Sequence, residues 1–405
     1  MSQSQIVPRP KIHVFNELPH IYEIDDMMAF CKKHERLYIC GAEENQEYLL
    51  KYFDICGIKV DGYTVTNPAE QTLRRYRKIP IVAVDDVIRQ SGAGIVLAVS
   101  DRHYRHFIPK FREAGFSDYF AMTEYNKRAI ANQLKPRPIE EMTFEINIAD
   151  HCNMSCQMCD HYSQLAEAHC VDPGIFERDI TRMGEIFDHK IACITLLGGE
   201  PTLHPRITEL IKIARRAFPS AELIILTNGL LLLELEHAPE GNIWSICKEY
   251  DVHITVTVYP LKFDYGALER KAGEYGVPLA MSSNIHAEQL TKIVKISDKH
   301  TFDPAGKVGR EYCVCCLYFN KFNVLKDGRY YMCPVAAHIG IFNKAFGQNL
   351  TLAEADSLDI EKVDDWKRFA EFSANYVPFC RYCDLKNWRP HSPWKASTKS
   401  IEEYI

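Results

Sequence analysis

Phe144-Glu-Ile-Asn-Ile-Ala149-Asp-His-Cys152-Asn-Met-Ser-Cys156-Gln-Met-Cys159 is the stretch that decides the fold. An apolar strand, Phe144 to Ala149, runs directly into three cysteines spaced Cys-x3-Cys-x2-Cys. In parallel α/β sheets the chemistry gathers on the loops that leave the carboxyl ends of the strands, and these cysteines fall on such a loop. Three thiolates on one loop can each bind one iron of a [4Fe-4S] cube and leave the fourth iron open. A zinc site is the competing reading, yet three cysteines with no fourth ligand at short range fit a closed tetrahedral site poorly.

Downstream, strands are predicted at Ala192 to Leu197, Glu222 to Thr227, His253 to Val258 and Val277 to Ser282. Helices lie between them; Ile207 to Ala217 carries apolar residues at Ile207, Leu210, Ile211 and Ala214, the spacing of one helical face. Repeated βα units predict a full or partial parallel barrel over residues 140–300. Upstream, strands and helices also alternate from Arg36 to about Gln133, which predicts a small Rossmann-like parallel domain over residues 1–135. Lys135-Pro-Arg-Pro138 reads as the linker between them, since proline holds its predecessor extended. The first turn of the N-terminal domain, Gly41-Ala-Glu43-Glu44-Asn45, sits where a dinucleotide fold places Gly-x-Gly-x-x-Gly. Acids there repel a pyrophosphate from the helix N-terminus, so no NAD binding is expected.

Composition sets the outer limits. The chain has 405 residues, 46% hydrophobic and 25% charged, enough for two or three domains with ordinary cores. A net charge of -6, from 48 basic and 54 acidic residues, gives no pull toward nucleic acid. No apolar run approaches the roughly 18 to 20 residues of a bilayer span, and Met-Ser-Gln-Ser-Gln lacks the regions of a signal peptide. A cytoplasmic protein without a membrane partner is expected. There, 15 cysteines imply metal ligation, catalysis or burial rather than disulfides. Cys31, Cys40, Cys56, Cys170, Cys193 and Cys247 stand alone and read as small hydrophobes. The other nine form two clusters.

The strand with Cys152-x3-Cys156-x2-Cys159, followed by Gly198-Gly199-Glu200-Pro201 after the next strand, resembles the radical S-adenosylmethionine (SAM) superfamily. The resemblance implies that Cys152, Cys156 and Cys159 hold a [4Fe-4S] cluster whose open iron is chelated by SAM. It implies that Gly198, Gly199, Glu200 and Pro201 hold the methionine amino group through carboxyl or backbone oxygens. Thr227 and Asn228 line the cofactor cleft, Thr257 contacts ribose or is an ordinary strand residue, and Met158 stands where an aromatic residue usually packs near adenine. Reductive cleavage of SAM then yields a 5'-deoxyadenosyl radical that removes a hydrogen atom from a substrate.

Farther on, Cys316-x11-Gly328-x4-Cys333 surrounds a predicted hairpin turn at Lys326-Asp-Gly-Arg329, and Cys380-x2-Cys383 follows. This resembles the auxiliary-cluster domain of the SPASM and twitch subfamilies over residues 301–405. It implies a second [4Fe-4S] cluster on Cys316, Cys333, Cys380 and Cys383, against a zinc ribbon as the alternative. No cysteine follows Cys383, which favours the twitch form with one auxiliary cluster. Cys313 and Cys315 either replace Cys316 as ligand, donate a hydrogen atom to a substrate radical, or pack beside the cluster. His338, Trp366, Trp388 and Trp394 carry no specific signal.

The expected fold is therefore α/β: a Rossmann-like sheet, a partial (β/α)6 barrel and a small Fe-S domain. The expected function is a radical SAM oxidoreductase acting on a small polar molecule such as a sugar, cyclitol or nucleotide sugar, with dehydrogenation favoured. Its external electron donor would be a flavodoxin or ferredoxin. An epimerase, a peptide maturase and a noncatalytic Fe-S scaffold or redox sensor are the alternatives.

Overall fold

The computed structural model describes residues 21–405 apart from 42–43, 69–74, 77–78, 100, 123, 240, 283–298, 308–315, 317–318 and 390–393. The N-terminal sheet contains β1 (Arg36–Cys40), β2 (Gly62–Val65), β3 (Arg75–Tyr76), β4 (Ile79–Ala83), β5 (Ala93–Leu97) and β6 (Tyr119–Ala121), in the order β3-β4-β2-β1-β5-β6. Every pairing is parallel except β3 with β4. Without that hairpin strand, the order is that of a doubly wound dinucleotide fold, with its switch point beside β1. Strand β5 is buried along its whole length, as expected where both faces are covered. Gly41 follows β1 at φ 121°, a conformation open to glycine. Glu43 lies outside the described residues, and Glu44 opens the helix Glu44–Ile55.

The second sheet begins with β7 (Thr143–Ala149), β8 (Cys193–Gly198), β9 (Glu222–Thr227), β10 (Val252–Thr257) and β11 (Leu279–Ser282). All four neighbouring pairs are parallel. The helix Pro173–Ile186 shows why the intervening segments are helical. Asp172 caps it by accepting the Gly174 and Ile175 N–H groups, and Pro173 occupies the first turn, where its missing N–H costs nothing. Its buried stripe of Phe176, Ile180 and Met183 belongs to the same core as Phe144, Ile146 and Ile148 of β7. Each such side chain contributes about 1.5–3 kcal/mol on burial. The alternation leaves Glu145, Asn147 and Ala149 on the opposite face, which looks into the barrel.

The C-terminal region contributes β12 (Lys299–Phe302), β13 (Val324–Lys326), β14 (Arg329–Tyr331), β15 (Ser357–Asp359) and β16 (Cys383–Arg389). β13 and β14 form the expected hairpin, with Asp327 at φ 51° and Gly328 at φ 69°, the left-handed pair of a tight two-residue turn. β13 also pairs in parallel with β7, setting Val324 opposite Glu145. The barrel strands and the C-terminal hairpin thus share one eight-stranded sheet, β11-β10-β9-β8-β7-β13-β14-β15. The sixth parallel strand comes from beyond residue 300 rather than from another βα unit. The N-terminal domain is joined to this body by a common core in which Leu49 and Phe53 cluster with Phe302, Phe319 and Cys333. Lys51 Nζ donates to the carbonyls of Leu134 and Ala374 at 3.1 Å each. Among the described residues no helix is long and apolar enough to cross a membrane.

Candidate active site

The cysteine loop is drawn onto the end of β8 by backbone contact. Gly199 N–H donates to Ala149 O at 2.7 Å and Glu200 N–H to His151 O at 3.0 Å. A Cβ on Gly198 would stand 2.2 Å from Ala149 O, and one on Gly199 would stand 2.2 Å from His151 O. Only glycine permits this approach, so the two glycines fix the loop against the barrel mouth.

Glu200 then ties the loop system together. The residue is 1% exposed. Its Oε1 accepts the Thr227 and Thr202 hydroxyls and the Thr202 N–H, and its Oε2 accepts the Asn228 N–H at 2.8 Å. Burial pushes the carboxyl above its ordinary value, and those four donors oppose the shift. Asn228 continues the chain of contacts: its Nδ2 donates to Asn153 Oδ1 at 2.7 Å, inside the cysteine loop. Pro201, also buried, opens the short 3-10 turn Pro201–Leu203.

Cys152, Cys156 and Cys159 line one cavity of about 370 Å³ together with Gly198, Gly199, Glu200, Thr227, Asn228 and Thr257. Thr257 reaches it from the end of β10. Cys152 Sγ accepts the Met154 N–H at 3.3 Å, and Cys156 Sγ accepts the Trp394 indole N–H at 3.2 Å. Burial pushes the Cys152 thiol up to about 12, with Glu200, Cys156 and Cys159 adding to the shift. Of the two methionines in the loop, Met154 lines the cavity. Met158 lies at φ 56°, and its N–H donates to the Glu403 carboxylate.

Other residues that line the cavity were not read from the sequence. They include Glu145, Asp160, His161, Ser163, Gln164, Tyr259, Phe322 and Pro334. Burial pushes the Glu145 carboxyl up to about 7. Ser163 Oγ and Gln164 Oε1, in residues 3% and 6% exposed, make no hydrogen bond within the protein. The His161 ring lies 5.1 Å from that of His338, a fully enclosed imidazole with neither nitrogen hydrogen-bonded. Burial holds His338 well below its ordinary value. Glu145 carried a usable signal, the one ionisable side chain in strand β7; Tyr259 and Trp394 carried none.

Cys316, Cys333, Cys380 and Cys383 come together on the C-terminal side, where they join one buried cluster. Burial raises the Cys380 and Cys383 thiols well above their ordinary value, and each feels the charge of Cys316 and Cys333. Cys333 precedes the helical turn Pro334–Ala337, whose Val335 and Ala336 N–H groups point at its sulfur. Cys313 and Cys315 lie outside the described residues.

Residues 146–250 match the sequence profile of the radical SAM superfamily. That match places a radical SAM domain over this part of the chain. A GTP 3',8-cyclase from Microcystis aeruginosa (strain NIES-843 / IAM M-2473) is 32% identical over 89 residues, which are 22% of this chain and 27% of that protein. The chain thus spans about a quarter of the curated relative it matches. Among solved structures, BtrN in complex with AdoMet and 2-DOIA is similar at 16% identity and a TM-score of 0.37, covering 65% of this chain and 99% of that one. Streptococcus suis SuiB bound to precursor peptide SuiA is similar at 13% identity and a TM-score of 0.31, covering 71% and 83%.

The radical SAM match supports an enzyme and implies a [4Fe-4S] cluster with SAM. The residues present fit that pair. Three thiols line one cavity with the glycine segment, and two of them, Cys152 and Cys156, accept N–H donors suited to thiolate sulfur.

Proposed function

We propose that the chain is a cytoplasmic radical SAM oxidoreductase with two [4Fe-4S] clusters, and that it dehydrogenates a small polar substrate, a sugar or cyclitol. Cys152, Cys156 and Cys159 hold the first cluster. The chemistry supplied when that cluster and SAM are bound is reductive cleavage of the sulfonium and removal of a hydrogen atom from the substrate. With the Glu200 carboxylate already engaged by Thr202, Thr227 and Asn228, the backbone oxygens of Gly198 and Gly199 take the methionine amino group. Thr227, Asn228 and Thr257 flank the rest of SAM, and Met154 takes the packing role expected of Met158.

The observation that carries the oxidoreductase reading is the gathering of Cys316, Cys333, Cys380 and Cys383. The thiols of Cys380 and Cys383 both feel the charge of Cys316 and Cys333, so the four sulfurs share one buried region. A second cluster there supplies electron acceptance beside the substrate cavity. Glu145 faces that cavity as the group able to take the hydroxyl proton released on oxidation.

The wall chemistry supports the substrate class. Carboxylate, hydroxyl, amide and imidazole groups line the cavity, and no lysine or arginine does so among the described residues. Such a wall suits hydroxyls better than phosphates, which favours a free sugar or cyclitol over a nucleotide sugar. An external flavodoxin or ferredoxin supplies the first electron.

The test is anaerobic reconstitution followed by a screen of sugars, cyclitols and nucleotide sugars for 5'-deoxyadenosine release. The product is then made in deuterium oxide. A dehydrogenase gives an oxidised product without solvent deuterium at the reacting carbon. A product of unchanged oxidation state carrying one deuterium there, lost in Cys313→Ala or Cys315→Ala, would establish an epimerase instead.

A further inference from the structure

The C-terminal segment 394–404 is laid over the cysteine loop by backbone hydrogen bonds. Cys156 and Ala396 form an antiparallel bridge, flanked by Gln157 N–H to Lys395 O at 3.0 Å and Ser397 N–H to Ser155 O at 2.8 Å. Farther along, Glu403 accepts the Ser397 hydroxyl at 2.8 Å, the Thr398 N–H at 2.6 Å, and the N–H of Met158. Tyr404 OH donates to Cys159 O at 3.4 Å, and its ring is buried among Tyr162, Phe342 and Phe346. The loop is thus gripped on both sides of Cys156, at Met158 and at Cys159. These contacts fix where the Trp394 side chain lies.

We propose that Trp394 is a positioning residue that tunes the first cluster: its indole N–H, donated to Cys156 Sγ at 3.2 Å, holds that cluster at a higher reduction potential than three bare thiolates would give. The inference rests on the assignment of Cys152, Cys156 and Cys159 as cluster ligands. A donor on a ligand sulfur withdraws charge, and the reduced cluster carries one more negative charge than the oxidised one, so the hydrogen bond favours reduction. Tyr259 adds a second donor, since its hydroxyl bonds to Cys156 and its ring meets Trp394 edge-on at 5.9 Å. Two donors therefore converge on one sulfur.

The experiment compares wild type, Trp394→Phe and Tyr259→Phe after anaerobic reconstitution, by redox titration followed by electron paramagnetic resonance. The first cluster's signal is the one absent from the Cys152→Ala, Cys156→Ala, Cys159→Ala variant. Phenylalanine keeps an aromatic ring at each position and removes the donor. Poised at the wild-type midpoint, each single variant should show a ratio of reduced to oxidised first cluster about fivefold lower, with iron content unchanged. A midpoint unaltered in both variants, with the cluster present, would overturn the role of these donors. A wild type in which the triple variant removes no signal would instead overturn the ligand assignment, so the two failures are distinguishable.

Discussion

Glu200 Oε2 accepts the backbone N–H of Asn228 at 2.8 Å, which makes this carboxylate a brace between the ends of β8 and β9. Glu200→Ala leaves the Asn228 and Thr202 N–H groups and two hydroxyls without their acceptor inside the protein. The expected cost is about 3–5 kcal/mol, the range for breaking one side of a buried charged network. Thermal melting and SAM calorimetry together check this: lost affinity with an unchanged melting temperature would mean that the carboxylate binds SAM and does not brace the loops.

Gly199→Ala places a methyl group against His151 O, where a Cβ would stand at 2.2 Å. The backbone must move, at a cost on the order of 3 kcal/mol, and the cysteine loop moves with it. We expect iron incorporation at the first site to fall sharply while the second is retained. Full occupancy of both sites in Gly199→Ala would show that the close approach is not needed.

Burial pushes the Glu145 carboxyl from the ordinary glutamate range up to about 7. Between those values the folded protein binds more protons than the unfolded chain, so this group's contribution to stability falls as pH rises. Glu145→Gln lacks that titration. It should be more stable than wild type at pH 8, by up to about 3 kcal/mol, with the difference closing toward pH 5. Denaturant unfolding at the two pH values measures it, and a difference that does not change with pH would contradict the buried carboxyl.

The parts of the site legible in the sequence are those where chemistry acts through contiguous residues. A strand leading into Cys152, Cys156 and Cys159, and two adjacent glycines at Gly198 and Gly199, are local patterns. Trp394 is not legible in this way, because 238 residues separate it from the sulfur it touches. The parallel pairing of β13 with β7 was also hidden, since a three-residue strand is too short to show a period. The strand expected at Lys59 to Tyr63 lies instead at Gly62–Val65. Asp61 explains the shift: its N–H donates to Leu37 O at 2.8 Å and its carboxylate accepts the Leu37 N–H at 3.0 Å, holding the chain at the edge of β1 before the strand begins.

The central claim is that two separate cysteine sets each hold an iron-sulfur cluster. The measurement that tests it most directly is iron, sulfide and zinc per chain after anaerobic reconstitution, in wild type and in the Cys152→Ala, Cys156→Ala, Cys159→Ala variant. We expect about eight irons in wild type and about four in the variant, which remains brown but no longer cleaves SAM. One zinc with about four irons in wild type, and a colourless variant, would contradict the second cluster.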